Sequence, residues 1–219
     1  MVRSVVQWLS RLLILAGLAS GSQNVIAWEA GRMLDAASEL GPRAVAAAAQ
    51  LQGVIEHAST QDAAARLTAV NDFFNRHIEF HTDQEVWGQQ DFWASPLQAL
   101  AKGRGDCEDY AIAKYASLLA AGTPAARLRL VYVRVRRAGS TQAHMVLAYY
   151  ARPNAEPLIL DNLVPGVETA SKRPDLTPVF SFNGEGLWQG VGARTAGNPL
   201  ERLSRWRDVL EKMRAEGFL

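Results

Sequence analysis

The chain has 219 residues, of which 48% are hydrophobic and 21% are charged, and a formal net charge of +1. This length and composition fit one globular domain with a sizeable core and argue against intrinsic disorder. The charge is nearly balanced and no lysine or arginine run interrupts the middle of the chain, which argues against a nucleic-acid-binding protein.

The first 27 residues predict a secretory signal peptide. Arg3 and Arg11 stand before and at the start of an apolar run from 12 to 19, which is too short for a comfortable membrane span. We place cleavage after Ala27, with an uncleaved anchor as the alternative. Cleavage leaves residues 28–219 as a single domain. This mature chain contains 21 of the 23 lysines and arginines and all 22 aspartates and glutamates. The mature protein is expected to be exported and to have no stable membrane insertion.

The first part of the mature chain is predicted to be helical. Gly41-Pro42 and the alanine-rich residues that follow indicate a helix with proline in its first turn, and Asp62 is a plausible N-cap for a second helix. The polar and aromatic segment 79–96 has no clean period and is predicted to be a long ordered loop. Two interpretations stay open for four of its side chains: they line a substrate groove, or they anchor the loop. These side chains are Trp87, Gln89, Gln90 and Trp93.

The only cysteine, Cys107, lies at the start of another predicted helix. A short helix that opens at Ser95-Pro96 should end at Gly103, after which Asp106 fits the N-cap of the cysteine helix. A single cysteine in an exported protein cannot form a disulfide within its own chain. It is therefore either a small buried hydrophobic residue or a functional thiol.

From residue 128 the hydrophobic period changes to two. The runs LRLVYVRV, AHMVLAYY and PLILDNL predict strands, for which three antiparallel neighbours are the simplest arrangement. The segment 165–197 is rich in proline and glycine and is predicted to be mostly irregular, with LTPVFSFN as a candidate for a further strand. Asn198-Pro199 then starts a final amphipathic helix.

A hairpin between the second and third runs suggests a catalytic arrangement. With a four-residue turn, paired residue numbers sum to 305 and His144 lies opposite Asp161. Val146 and Ile159 share this face and are expected to pack against a helix. If that helix points its N-terminus toward His144, Cys107 completes a Cys-His-Asp triad, in which the imidazole takes the thiol proton and the carboxylate orients the ring.

Each member of this arrangement also has an ordinary explanation. Asp161 fits a residue that merely ends a strand, and free cysteine is often buried. The other histidines are predicted to be ordinary surface or core residues, namely His57, His77 and His81.

Three acidic residues surround the cysteine: Asp106, Glu108 and Asp109. A carboxylate about 7 Å from a thiol opposes its ionisation by roughly 2 kcal/mol at an effective dielectric near 20. A helix N-terminus favours ionisation by only about 0.3 to 1 kcal/mol. A divalent cation such as calcium, bound by these oxygens, would reverse the local sign. Alternatively, the acids only cap the helix and interact with its dipole.

Three segments, in this order, carry a family resemblance: WASPLQALAKGRGDCEDYAIAKYASL, AHMVLAYY and LILDNL. They resemble the bacterial transglutaminase-like cysteine proteinases, in particular the periplasmic LapG type, over about residues 70–195. The resemblance implies an α+β fold with a papain-like, transglutaminase-like core, in which the helix bearing the nucleophile packs on an antiparallel sheet, with N-terminal helices. It implies that Cys107 is the nucleophile, His144 the general base and acid, and Asp161 the orienting residue.

The resemblance also implies a calcium site that is needed for activity, formed by the acids beside the cysteine, Asp106, Glu108 and Asp109. Its implied function is a periplasmic cysteine endopeptidase that cleaves a large surface adhesin near its N-terminus, at small residues such as Ala-Ala, and so controls biofilm attachment. An inner-membrane receptor that senses cyclic-di-GMP would sequester the enzyme. Two alternatives stay open: a transglutaminase that passes the same acyl-enzyme to an amine, and a non-catalytic calcium-binding interaction module.

Overall fold

The computed structural model describes residues 28–192 and 194–219. The predicted signal peptide, 1–27, lies outside these residues. The described chain places helices against one face of an antiparallel sheet, which confirms the predicted α+β fold with N-terminal helices. Among the described helices, none combines the length and apolar character needed to cross a membrane.

The helices begin largely where local chemistry predicts. Pro42 occupies the first turn of its helix, and the Asp62 carboxylate accepts a hydrogen bond from the Ala65 amide at 2.9 Å. Ser95 caps its helix in the same way. The described α-helices are α1 (Ala30–Leu40), α2 (Pro42–Ser59), α3 (Ala63–His77), α4 (Asp83–Trp87), α5 (Pro96–Lys102), α6 (Cys107–Ala120), α7 (Pro199–Arg202) and α8 (Ser204–Ala215).

The main sheet has seven described strands, in the order β6-β5-β4-β3-β7-β8-β9, and every neighbouring pair is antiparallel. A separate parallel pair, β1 with β2, precedes α6. The strands are β1 (Glu79–Phe80), β2 (Arg104–Gly105), β3 (Leu128–Arg137), β4 (Ser140–Tyr149), β5 (Leu158–Leu160), β6 (Glu168–Thr169), β7 (Leu176–Phe182), β8 (Leu187–Gln189) and β9 (Thr195–Gly197).

Three predictions about the elements were wrong. The segment 79–96 is not all loop, because it contains β1 and α4, and 165–197 contains four strands, of which only β7 was foreseen. Strands of two or three residues are too short to show a period of two. The final helix is two helices, because Leu203 has a non-helical backbone (φ −121°, ψ 86°).

The two faces of the sheet have different neighbours. The face that carries Met145, Leu147 and Tyr149 joins the main core with α6. The opposite face carries Val146 and Ile159, which belong to a smaller apolar cluster that Ala170, after β6, and Leu176, at the start of β7, pack against. The expectation that Val146 and Ile159 pack against the cysteine helix was therefore wrong. Alternation along a strand defines two faces but does not say which one a helix covers.

Candidate active site

Cys107 is the first residue of α6, the central helix of the core. Asp106 is the N-cap, and its amide is 3.4 Å from Oδ2 of Asp109 in a capping box. The preceding residue must be small, since a Cβ on Gly105 would lie 2.6 Å from the same Oδ2. The sequence Gly-Asp-Cys thus brings the backbone against a buried carboxylate just before the cysteine.

The surroundings of the Cys107 thiol oppose its ionisation. The thiol is half-buried and donates to Oε2 of Glu108 at 3.0 Å. Burial, the Glu108 carboxylate and the Asp106 carboxylate all raise the pKa of the thiol well above its usual range, against which the nearby Met145 amide favours the thiolate. In this environment Cys107 is a poor nucleophile unless the acidic charge is neutralised.

His144 and Asp161 form a buried pair. Nε2 of His144 lies 2.8 Å from Oδ1 of Asp161, which also accepts from the Leu163 amide at 3.1 Å. Both residues are less than 5% exposed. Although burial alone would raise the pKa of Asp161, the hydrogen bond and charge of His144, with help from Leu163 and Arg173, lower it to about 2. The carboxylate is therefore ionised and fixes one ring nitrogen of His144.

The predicted register of this hairpin was wrong by two residues. Leu147 pairs with Leu160, so paired numbers sum to 307, and the pairing ends there. Extrapolated, Asp161 lies opposite Val146 and contacts His144 diagonally. A shift of two residues preserves the face on which a side chain lies, which is why the His144–Asp161 contact forms despite the error.

Cys107 reaches strand β4 at an open edge. The Tyr150 amide donates to Arg127 O, on the β3 side of β4, so by alternation the Met145 amide points to the other side, where β5 has already ended. This amide is the one that favours the Cys107 thiolate, and Met145 is the residue after His144 in the chain. Among the described residues, no hydrogen bond joins the thiol to the His144 ring. The third link of the triad therefore stays a prediction.

The acidic cluster is larger than predicted. Carboxylate oxygens of Asp106 and Asp109 lie within 4.8 Å of each other and of Asp83, and Glu108 makes a similar group with Asp83 and Asp91. Asp106 and Glu108 also lie within this distance of Cys107. The sequence prediction missed Asp83 and Asp91 because nothing in the aperiodic segment 79–96 places its acids near the start of α6, and Asp83 was assigned to a loop although it begins α4. One signal was present, namely the Thr82-x-x-Glu85 pattern of a capping box, which does start α4.

In this cluster, burial and mutual repulsion disfavour the ionised forms of Asp83, Asp106 and Asp109. Burial first, and then repulsion among neighbouring carboxylates, raises the pKa of Asp83 to about 6, of Asp109 to about 8 and of Asp106 to about 10. Oδ1 of Asp83 and Oδ1 of Asp106 are buried without a hydrogen-bond partner. Converging, unpartnered carboxylate oxygens are suited to a hard divalent cation, so the residues present fit such an ion.

Comparison with known proteins identifies the family. Residues 44–175 match the model of the bacterial transglutaminase-like cysteine proteinases. This chain belongs to that family. Among solved structures, EGTA-treated LapG of Legionella pneumophila is 35% identical, with a TM-score of 0.74 over 85% of this chain and 98% of that one. Calcium-bound LapG from the same organism is 35% identical, with a TM-score of 0.72 over 84% of this chain and 99% of that one.

No curated protein sequence matches the chain. The family match and the LapG structures confirm the predicted transglutaminase-like core. The protein is thus a cysteine protease of this family, and Cys107 is the only cysteine in the chain.

Proposed function

We propose that this proteinase is a calcium-dependent endopeptidase with Cys107 as nucleophile, His144 as general base and acid, and Asp161 as the residue that orients the ring. The observation that carries the proposal is the buried His144–Asp161 pair, which is next in the chain to Met145, whose amide favours the Cys107 thiolate. Because Asp161 binds Nε2, Nδ1 is the ring nitrogen left to accept the proton of the Cys107 thiol.

The chemistry follows from these positions. His144 takes the proton of Cys107, and the thiolate attacks the carbonyl carbon of the scissile peptide. The Cys107 amide is the first of α6 and has no acceptor within the helix, so it is available to donate to the oxyanion. His144 then gives its proton to the leaving amine, and water hydrolyses the acyl-enzyme.

Calcium is proposed to bind the acidic cluster through Asp106, Glu108 and Asp109, together with Asp83 and Asp91. Support comes from the converging oxygens, from two buried oxygens without partners, and from the calcium-bound structure of the related LapG. When bound, the cation supplies positive charge that offsets the carboxylates now raising the pKa of Cys107. Glu108, which as it stands accepts a hydrogen bond from the thiol, would then have a competing partner for its oxygens.

The biological role is proposed from the similarity to LapG. The chain would be exported to the periplasm by its first 27 residues and would cleave a large cell-surface adhesin near its N-terminus, at a site such as Ala-Ala. Cleavage would release the cell from a biofilm. An inner-membrane receptor that responds to cyclic-di-GMP would bind the protease and keep it from its substrate.

The test is proteolysis of an N-terminal fragment of a candidate adhesin by the mature chain, with calcium and with EGTA. Cleavage that requires calcium and is abolished by Cys107→Ala is expected. A labelled amine included in the same assay separates hydrolysis from transfer, because covalent labelling without chain cleavage would indicate a transglutaminase. Persistent cleavage by Cys107→Ala would reject the proposed nucleophile.

A further inference from the structure

A buried arginine lies behind the His144–Asp161 pair. Nη1 of Arg173 is 2.7 Å from Oδ2 of Asp161, and both side chains are almost fully buried. The same guanidinium donates to Asp175, with Nε at 3.0 Å from Oδ1 and Nη2 at 2.8 Å from Oδ2. The guanidinium therefore forms ion pairs with two carboxylates, through Nη1 with Asp161 and through Nε and Nη2 with Asp175. Several donor nitrogens on one rigid group suit this double role better than the single ammonium of lysine.

Asp161 is held from three directions. Oδ1 binds the His144 ring and the Leu163 amide, and Oδ2 pairs with Arg173. Its backbone carbonyl accepts from Nδ2 of Asn75 at 3.0 Å and from Nζ of Lys114 at 3.1 Å. The backbone contacts hold the residue in place, but neither of them controls rotation of the carboxylate. Arg173 is the described side chain that engages the oxygen turned away from His144.

We propose that Arg173 is a positioning residue, which holds the Asp161 carboxylate in the rotamer that aims Oδ1 at Nε2 of His144. With Nε2 occupied, the ring presents Nδ1 for the thiol. Asp175 in turn holds the guanidinium in the plane that this contact needs. The inference rests on the proposed function, because positioning matters to catalysis only if His144 acts on Cys107.

Two readouts separate positioning from mere stabilisation. The first is the rate at which iodoacetamide alkylates the protein in the presence of calcium, which reports on Cys107 alone because the chain has one cysteine. The second is the proton resonance of Nε2–H in protein with isotopically labelled histidine. A ring N–H bound to a buried carboxylate is expected to resonate downfield and to exchange slowly, and loss of the signal in His144→Ala assigns it among the four histidines.

The mature chain is compared with Arg173→Met, Arg173→Lys and a matched control, Arg66→Met. Arg66 binds backbone carbonyls near the C-terminal end of α2 and Thr123, beyond the far end of α6 from Cys107. We expect Arg173→Met to lose the downfield signal and to slow alkylation about tenfold, part of the 10²- to 10⁴-fold that a general base typically contributes. Arg173→Lys keeps the charge but has a single nitrogen in place of the separate donors that contact Asp161 and Asp175, and it should be intermediate in both readouts.

The inference is overturned if Arg173→Met keeps both the alkylation rate and the imidazole signal of the wild type. It is also overturned if Arg66→Met, at equal loss of Tm, reduces both readouts as much. Failure of the proposed function looks different: His144→Ala would then leave alkylation unchanged. The imidazole signal in Arg173→Met would still decide whether Arg173 positions Asp161.

Discussion

Two groups of buried carboxylates, Asp161 and the acids around Cys107, differ in how their charge is balanced. Although burial alone would raise the pKa of Asp161, the hydrogen bond and charge of His144, with the Leu163 amide and the Arg173 guanidinium 2.7 Å away, lower it to about 2. Asp106 and Asp109 have mainly one another and other acids, and their pKa values are raised to about 10 and about 8.

The difference indicates different roles for the two groups. A carboxylate balanced inside the fold is permanently charged and suited to orienting a ring. A cluster of carboxylates that the fold does not balance fits the proposed calcium site, and under that proposal the reactivity of the cysteine beside it would depend on a cation from solution. Under this proposal, one part of the site is balanced by the protein itself and the other part would be balanced by a bound ion.

Removing the charge of Asp161, the carboxylate that the protein balances, should have the largest effect on turnover. Asp161→Asn keeps the size of the side chain but changes which ring nitrogen of His144 carries the proton. We expect turnover of an adhesin fragment to fall about 10³- to 10⁴-fold, by analogy with triads in which this change disturbs the tautomer. The control Asp208→Asn alters an exposed acid on α8 and should leave turnover unchanged. Parallel loss of turnover and Tm in Asp161→Asn would instead make Asp161 a structural residue.

Removing calcium tests the acidic cluster around Cys107, which the protein does not balance by itself. EGTA should lower turnover on the order of a hundredfold near neutral pH, because burial and the Glu108 and Asp106 carboxylates raise the pKa of Cys107 and disfavour its thiolate, and added calcium should restore it. The measurement is initial rate against free calcium concentration. Asp109→Asn should require more calcium for the same rate. Turnover that is indifferent to EGTA would leave these acids as helix caps.

The two groups should have opposite effects on stability as the pH changes. In the metal-free protein, the unfolded chain releases the protons of its aspartates near pH 4, whereas the folded chain keeps those of Asp83, Asp109 and Asp106 until about pH 6, 8 and 10. The folded state then binds more protons, so the free energy of unfolding falls as the pH rises from about 4. Asp161 contributes in the opposite sense, because its stabilisation is present above pH 4 and is lost as the pH falls through about 2.

Thermal unfolding between pH 5 and 8, with EGTA and with calcium, checks this sign. The Tm in EGTA should fall with rising pH, and calcium should raise Tm most at pH 8, where the cluster must otherwise release protons. A metal-free Tm that rises with pH would show that the acidic cluster is already balanced.

The smallest effect is expected from Gly105→Ala, which crowds the unbalanced group without changing its charge. The added Cβ would lie 2.6 Å from Oδ2 of Asp109, and overpacking of this kind typically costs about 1 to 3 kcal/mol. Gly53→Ala is the control, because a Cβ there meets nothing within 4 Å and alanine favours the α2 helix by about 0.5 to 1 kcal/mol. Denaturant unfolding measures both, and equal stability of the two variants would contradict the crowding.

Local chemistry explains which parts of the site were predictable. Asp106 was predicted as an N-cap because capping depends on neighbours within one helical turn, and the structure confirms it. The sequence pairs His144 with Asp161 because they precede and follow one turn, and the register error of two residues did not separate them. In contrast, Arg173 carries no local pattern, since its partners depend on how the segment after β6 folds back.

The sequence by itself determined the period of each long helix and strand, the position of Cys107 at a helix start, and the face shared by His144 and Asp161. These depend on contacts between residues close in the chain or across one hairpin. Only the tertiary structure decided which face of the sheet α6 covers, that Asp83 and Asp91 join the acids beside Cys107, and that Arg173 balances Asp161. The physical reason is that charge balance in a buried site is set by side chains that meet through space, from segments whose separation in the chain carries no periodic signal.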